Sequence, residues 1–321
     1  MTLDTGLVNL DDVRAARERI AATCVRTPLL TAGPDDDVHA LRVKPESLQP
    51  TGAFKLRGAT NAVAQLGPDE RAAGVVTHSS GNHGQAVAYA SRAAGVPCTV
   101  VMPDNAAPVK VAATRRWGAR IVTVPVDERF IATDQIADET GARLIAPYDD
   151  PRVIAGQGTV GLEILADADD VDTVLAPVGG GGLISGVAVA VKALSPSIRV
   201  VAVEPELSAD LAESFAAGQR VTWPAELVAR TSADGLRADV IGELTWPHIQ
   251  AHVDEVLTVS EAAITEAMGY LARRARLVAE PSGAVATAGW LTHPDRASLG
   301  RTVAIVSGGN VDPAAFAAAI A

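Results

Sequence analysis

Apolar positions along this chain fall into two alternating patterns. Short runs rich in Val, Ile and Thr cover 74–77, 98–102, 120–124, 173–176, 199–203 and 302–306. Longer alanine-rich stretches with helical character cover 84–94, 109–117, 130–140, 153–168, 183–194 and 261–278. Continuous apolar runs predict strands buried on both faces, and their alternation with helices predicts parallel sheets covered by helices. Another helix opens at Asn9, whose side chain can cap it. Asp12 stands where a carboxylate favours the N-terminal dipole, and Val13, Ala16 and Ile20 share one face. The block 76–148 is a compact run of such units that ends in the turn-rich A-P-Y-D-D-P of 146–151. The expected architecture is α/β. A small domain, 76–148, is inserted into a large one formed by 1–75 and 149–321, with a cleft between them.

Composition narrows the partners. Aromatic residues make up only 3% of the 321 positions, so Val, Ala, Leu and Ile must build the core. A formal net charge of −11 repels phosphate backbones and argues against a general nucleic-acid binder. It leaves room for a local pocket that takes a small anion. Cys24 and Cys98 are far apart and lack CxxC spacing, so they read as small core residues of a reducing compartment. No basic segment followed by an apolar run opens the chain, and the longest apolar stretch, 183–194, is short and carries Lys192. A cytoplasmic protein is expected, with no membrane partner and no regulatory module after Ala321.

The candidate chemistry lies in four stretches. In P-T-G-A-F-K-L-R-G-A, 50–59, Lys55 stands between Phe54 and Leu56, with Gly52 and Gly58 outside them. A solvated lysine needs no such setting, whereas a buried one loses its proton more easily and becomes reactive. The two glycines read as room for a planar group. The strand 174–178 runs into Gly179, Gly180, Gly181 and Gly182 and then into a helix. Strand, glycine loop and helix N-terminus is how backbone N–H groups cradle a phosphate. A tight turn is the plainer alternative, although it would need fewer glycines. H-S-S-G-N-H-G, 78–84, crowds hydroxyls, an amide and N–H groups at the C-terminal end of a strand, where α/β sheets place ligands. That loop suits a carboxylate, and the absence of G-x-S-x-G speaks against a serine hydrolase. Ser307 follows the last strand in S-G-G-N. By contrast, G-Q-G-T-V-G at 156–161 matches a dinucleotide fingerprint in letters only, with no proper strand before it and no acidic residue at the required distance after it. Its glycines read as close helix packing. A cofactor with a phosphate and an aldehyde, held covalently by a lysine, uses all four stretches, and that cofactor is pyridoxal phosphate.

With these residues the chain resembles the fold-type II pyridoxal-phosphate enzymes, specifically the threonine/serine dehydratase and serine racemase family. The resemblance runs over nearly the whole chain. It rests on K-P-E-S-L-Q-P-T-G-A-F-K-L-R-G-A (44–59), H-S-S-G-N-H-G-Q-A (78–86), P-Y-D-D-P-R-V-I-A-G-Q-G-T (147–159), P-V-G-G-G-G-L (177–183) and S-G-G-N-V-D (307–312). It implies two doubly wound open sheets, a homodimer, and an L-threonine/L-serine dehydratase that releases a 2-keto acid and ammonia. Serine racemase and 3-hydroxyaspartate dehydratase are the alternatives. It further implies that Lys55 forms the Schiff base, Phe54 packs on the cofactor ring and Asn82 meets the ring hydroxyl. Gly179, Gly180, Gly181, Gly182 and Leu183 would hold the phosphate, Ser307 the ring nitrogen, and Gly235 would lie near the cofactor. Ser79, Ser80, Asn82 and His83 would hold the substrate carboxylate. Ser80 would double as the second acid/base of a racemase. In E-P-E-L-S-A-D, 204–210, Glu204, Asp210 and the Ser208 carbonyl resemble a site for Mg²⁺ or Ca²⁺. The chain departs from the racemase pattern at Arg129, which stands one residue off and could reach a second carboxylate. Tyr148 is nearer the dehydratases.

Overall fold

The computed structural model describes residues 6–33, 41–106 and 108–321. Along the chain its strands are β1 (Leu30–Ala32), β2 (Leu41–Pro45), β3 (Val75–His78), β4 (Cys98–Pro103), β5 (Arg120–Val124), β6 (Arg143–Leu144), β7 (Thr173–Pro177), β8 (Arg199–Pro205), β9 (Glu255–Val259) and β10 (Thr302–Val306). They form two separate sheets. One has the order β1-β2-β10-β7-β8-β9 and is parallel except at β1–β2. The other has the order β5-β4-β3-β6 and is parallel throughout. Its strands are consecutive in the chain and interrupt those of the larger sheet. Among the described residues no helix is long and apolar enough to cross a membrane.

Each apolar run predicted as a strand is one. The strands that escape the pattern do so for physical reasons. β1 and β6 are very short, β9 is a half-exposed edge, and β2 carries Lys44 in its centre, fully buried. The large sheet shows why its strands read as continuous apolar runs. Leu175, Val201, Val203, Ala304 and Val306 pack on one face with the helices Glu261–Arg274 and Pro281–Thr292. Val174, Ala176, Val200, Ala202, Val303 and Ile305 pack on the other with the helix Gly182–Leu194. Alternate residues serve opposite faces, and both faces are covered. The first helix, Leu10–Ile20, is capped as expected: Asn9 accepts from the N–H groups of Asp11 and Asp12, and Asp12 accepts from the Asn9 N–H.

The glycines of 156–161 lie inside the helix Pro151–Asp167. A Cβ on Gly158 would sit 2.7 Å from the Gly186 carbonyl oxygen, and one on Gly156 would sit 2.6 Å from the Gly58 Cα. They are packing contacts between helices. This corrects one expectation about the lysine stretch. Gly58 faces Gln157 and Val153, and Gly52 takes φ +74° against the Asn310 side chain, so neither leaves room for a planar group. Gly52 serves a left-handed turn, and Gly58 lets two helices touch.

The helix Lys55–Ala64 is fixed by charge as well as packing. The Arg57 guanidinium, fully buried, donates to both oxygens of Glu46 at 2.7 and 2.8 Å and to both oxygens of Glu163 at 2.7 and 2.8 Å. Lys44 pairs with Glu163 at 2.7 Å and donates to the Thr27 carbonyl at 2.6 Å. Burial alone would raise the Glu46 carboxyl, but Arg57 outweighs it and holds it below its ordinary value. Replacing Arg57 by Met strands a buried carboxylate, and the chain should lose about 3–5 kcal/mol of stability. Adding Glu46→Gln to that variant should recover part of the loss. Urea unfolding followed by circular dichroism measures both; an Arg57→Met protein of wild-type stability would show that the cluster contributes nothing.

Candidate active site

The Lys55 stretch is placed by the strand end that follows β10. The Phe54 N–H donates to the Ser307 carbonyl at 2.9 Å, Ala53 bridges Gly308, and the Gly309 N–H donates to the Gly52 carbonyl at 2.9 Å. Lys55 is thereby the first residue of its helix, and its side chain enters a cavity of about 310 Å³. Phe54, Ser79, Ser80, Asn82, His83, Gly179, Gly180, Gly181, Gly182, Leu183, Gly235 and Ser307 line the same cavity, together with Arg129 and Tyr148. Stretches that are far apart in sequence converge because each follows the C-terminal end of a parallel strand or is tied to one.

Lys55 Nζ donates to the Pro147 carbonyl at 2.6 Å and lies 5.0 Å from the centre of the Phe54 ring. Burial lowers its pKa to about 8, with no carboxylate to oppose the shift. The glycine loop is equally constrained. Gly181 has φ +92°, and a Cβ on Gly180 or Gly182 would press into Tyr148 at 2.4 or 2.8 Å. The first backbone bond of the following helix runs from Ser185 to the Gly181 carbonyl, so the N–H groups of Gly182, Leu183 and Ile184 have no partner within the helix. A second helix N-terminus faces the cavity at Asn82–Ala94. Its first bond, Gln85 to Gly81, leaves the N–H groups of Asn82, His83 and Gly84 open in the same way.

The polar side chains divide by role. His83 Nε2 lies 2.9 Å from the Ile145 carbonyl, and burial lowers the ring to about 3, aided by the Lys55 charge. The imidazole is therefore neutral, with its proton on Nε2. Nδ1 is buried without a partner and can only accept, so the side chain offers no donor to a carboxylate. Ser307 is nearly buried and its hydroxyl faces the Ser282 carbonyl at 3.3 Å. The Gly235 N–H donates to the Ser282 hydroxyl at 2.9 Å. Arg129 lies 4.6 Å over the Phe130 ring; its Nε is buried without a hydrogen-bond partner, and no carboxylate among the described residues is paired with it. Burial, then Asp239, pushes the Tyr148 hydroxyl up to about 12, which keeps it neutral.

Glu280 was missed by sequence reasoning. It is buried, lines the cavity and accepts from Asn82 Nδ2 at 2.6 Å. E-P-S at 280–282 carries the pattern of a helix start, Glu-Pro, and nothing local marks it as facing a ligand. Lys110 and Asp234, also missed, form an ion pair of 2.5 Å at the cavity lining. Glu204, Ser208 and Asp210 stand outside that lining. Glu204 accepts from the Leu211 and Ala212 N–H groups at 3.2 and 2.9 Å, while the two buried Asp210 oxygens make no well-formed hydrogen bond and meet the N–H groups of Asp210 and Ile241 only loosely. Burial and the Asp210 charge raise Glu204 well above its ordinary value, and burial raises Asp210 to about 7. The Ser208 hydroxyl donates to the Leu236 carbonyl at 3.2 Å, which ties this acidic pair to the cavity. Among the described residues no group of three or more His, Cys, Asp or Glu side chains is placed to hold a metal.

Comparison with known proteins agrees with this geometry. A family model described as pyridoxal-phosphate dependent enzyme matches residues 20–308. The chain is 42% identical to a serine racemase of Oryza sativa subsp. indica over 313 residues, covering 95% of this chain and 91% of that protein. It is 42% identical to the beta-hydroxyaspartate dehydratase of Paracoccus denitrificans over 309 residues, covering 94% and 96%. The solved serine racemase of maize superposes with a TM-score of 0.91 at 40% identity, covering 98% of this chain and 97% of that one. A half-buried lysine of lowered pKa, a glycine cradle and these matches converge: the chain belongs to the pyridoxal-phosphate dependent enzymes, in their fold-type II branch of threonine/serine dehydratases and serine racemases.

Proposed function

We propose that this chain is an ammonia-lyase that converts L-threonine or L-serine to a 2-keto acid and ammonia. Lys55 carries the reading: it is a half-buried amine without a carboxylate partner, lowered to about 8 by desolvation, in a cavity beside a glycine cradle. When bound, pyridoxal phosphate supplies an aldehyde for that amine and a ring that accepts the electron pair left at Cα. The residues present fit it. The N–H groups of Gly182, Leu183 and Ile184, with the loop Gly179–Gly181, suit the phosphate; Phe54 offers a packing face; the Asn82 amide suits the ring hydroxyl; and Ser307 suits the ring nitrogen. When free, Lys55 is neutral in about half of the molecules at a pH near its lowered pKa, and in that form it takes the Cα proton. Ser79 and Ser80, with the open N–H groups at the start of the helix Asn82–Ala94, hold the substrate carboxylate. Ser307 brings a hydroxyl and no charge, so it does not keep a proton on the ring nitrogen. That favours loss of the β-hydroxyl. Ser80 also stands ready as a second acid/base, which would give racemisation as a side activity.

One observation favours a second substrate class. The Arg129 guanidinium lines the cavity without a carboxylate of its own, and a β-carboxylate would supply one. That is the chemistry of 3-hydroxyaspartate. The acidic pair supports a divalent cation as well. Two buried Asp210 oxygens without a well-formed hydrogen bond, with Glu204 and the Ser208 carbonyl, form an oxygen donor set suited to Mg²⁺ or Ca²⁺.

Lys55→Ala should lose the visible Schiff-base band of the holoenzyme, and its keto-acid production should fall by about 10²–10⁴-fold. A band that survives the substitution would overturn the role of Lys55. Across L-threonine, L-serine and 3-hydroxyaspartate, Arg129→Met should lower kcat/KM for the dicarboxylate by about 10–100-fold and for the other two by less than about threefold. An equal change for all three substrates would remove Arg129 from substrate selection; chirality measured on residual serine in the same assay reports racemisation. Finally, Mg²⁺ should raise the thermal midpoint of EDTA-treated wild-type protein and leave that of Asp210→Asn unmoved. Equal shifts in both would place the ion elsewhere.

A further inference from the structure

Among the described residues three carboxylates line the cavity, Asp234, Asp239 and Glu280, and of these Glu280 alone is buried. Its position is built. The Glu280 N–H donates to the Gly308 carbonyl at 3.1 Å, and a Cβ on Gly308 would lie 2.2 Å from Glu280 Oε1, so the glycine after Ser307 exists as space for this carboxyl. Oε1 accepts from Asn82 Nδ2 at 2.6 Å. The other end of that amide is fixed too. Asn310 Nδ2 donates to Asn82 Oδ1 at 2.8 Å and to the Thr51 carbonyl at 2.8 Å. The Asn82 amide cannot turn over without losing both partners, and one of its two N–H bonds remains for the cavity.

We propose that Glu280 is a positioning residue for the cofactor: it aims the free N–H of Asn82 at the ring hydroxyl, and its own ionisation alters that contact. The proposal rests on reading the cavity as the pyridoxal-phosphate site. The charges that face Glu280 are Asp234 and Lys110. Lys110 opposes the shift of this carboxyl least, being paired with Asp234 at 2.5 Å. Burial, then Asp234, raises it to about 8, against the Asn82 hydrogen bond. Below that pH the group is neutral. Above it, a carboxylate stands beside a phosphorylated, anionic ligand and repels it.

The test uses holoenzyme and compares wild type, Glu280→Gln and Glu280→Ala. Each is checked for folding by circular dichroism and titrated with pyridoxal phosphate across pH, following both the Schiff-base absorbance and the cofactor dissociation constant. Glu280→Gln keeps shape and cannot ionise. The ratio of the wild-type dissociation constant to that of Glu280→Gln should rise severalfold as pH passes through about 8, and the shift of the wild-type absorbance over that range should vanish in the variant. Glu280→Ala frees the Asn82 amide and should weaken cofactor binding roughly tenfold at every pH. Glu280→Gln and Glu280→Ala proteins that both bind and titrate as wild type would overturn the proposal and leave the Lys55 reading standing. A wild-type protein that forms no such band would instead remove the reading on which the proposal rests.

Discussion

The Arg57 guanidinium fixes the geometry on which the site depends. It lies two residues beyond Lys55 on the same helix and is clamped between Glu46, just after β2, and Glu163, on the helix Pro151–Asp167. Lys44 completes the cluster from inside β2. Burying charges of this kind is a poor route to stability, because desolvation offsets most of the attraction. What the cluster adds is direction. Apolar contacts allow a helix to slide or rotate at little cost, whereas a forked guanidinium with a carboxylate on each side accepts one rotation. That rotation sends Lys55 into the cavity while Leu56, Ala59 and Val63 go to the core.

From that anchor follows an unusual electrostatic environment. The ionisable groups deepest in the cavity are held towards neutrality: Lys55 lowered to about 8, His83 to about 3, Glu280 raised to about 8. Burial is the largest cause in each case. Besides Arg129 and Lys110 at the lining, positive potential comes from backbone dipoles, at the starts of the helices Gly182–Leu194 and Asn82–Ala94. Fixed N–H groups hold anions without a side chain that must be desolvated and reordered each time, so an acidic chain of net charge −11 can still accept an anionic ligand.

Much of this was legible in sequence, because the relevant signals are local. β7 and β10 are buried along their whole length and β3, β4 and β8 along most of theirs, so they declare themselves as apolar runs; β5 reads the same way through its β-branched residues although it is a partly exposed edge. The four-glycine loop and the serine-rich loop after β3 likewise stand next to the strands that position them. What stayed hidden depends on contacts distant in sequence. β2 hides because its buried Lys44 is matched by Glu163, far along the chain, and a lone lysine in a strand reads as surface. Gly52 and Gly58 read as space for a ligand, when the space is taken by Asn310 and Gln157. Glu280 becomes meaningful only when Asn82, 198 positions away, is seen to donate to it.

The distribution of these residues also explains how one scaffold can host several related activities. Groups suited to the cofactor sit on buried elements: Phe54 and Lys55 at a helix start pinned by Arg57, the glycine loop against Tyr148, and Ser307 at the end of β10. A side chain added at Gly180 or Gly182 would displace Tyr148. Arg129 is different. It opens the helix Arg129–Thr140 at the small sheet, and Phe130 beside it is about half exposed. Of that helix only Thr133 is fully buried, so its first turn can change with little effect on the core. The stretch around Lys55 is thus tied to the packed core, and the first turn that carries Arg129 is not. An exchange on this first turn therefore leaves the apolar core unaltered.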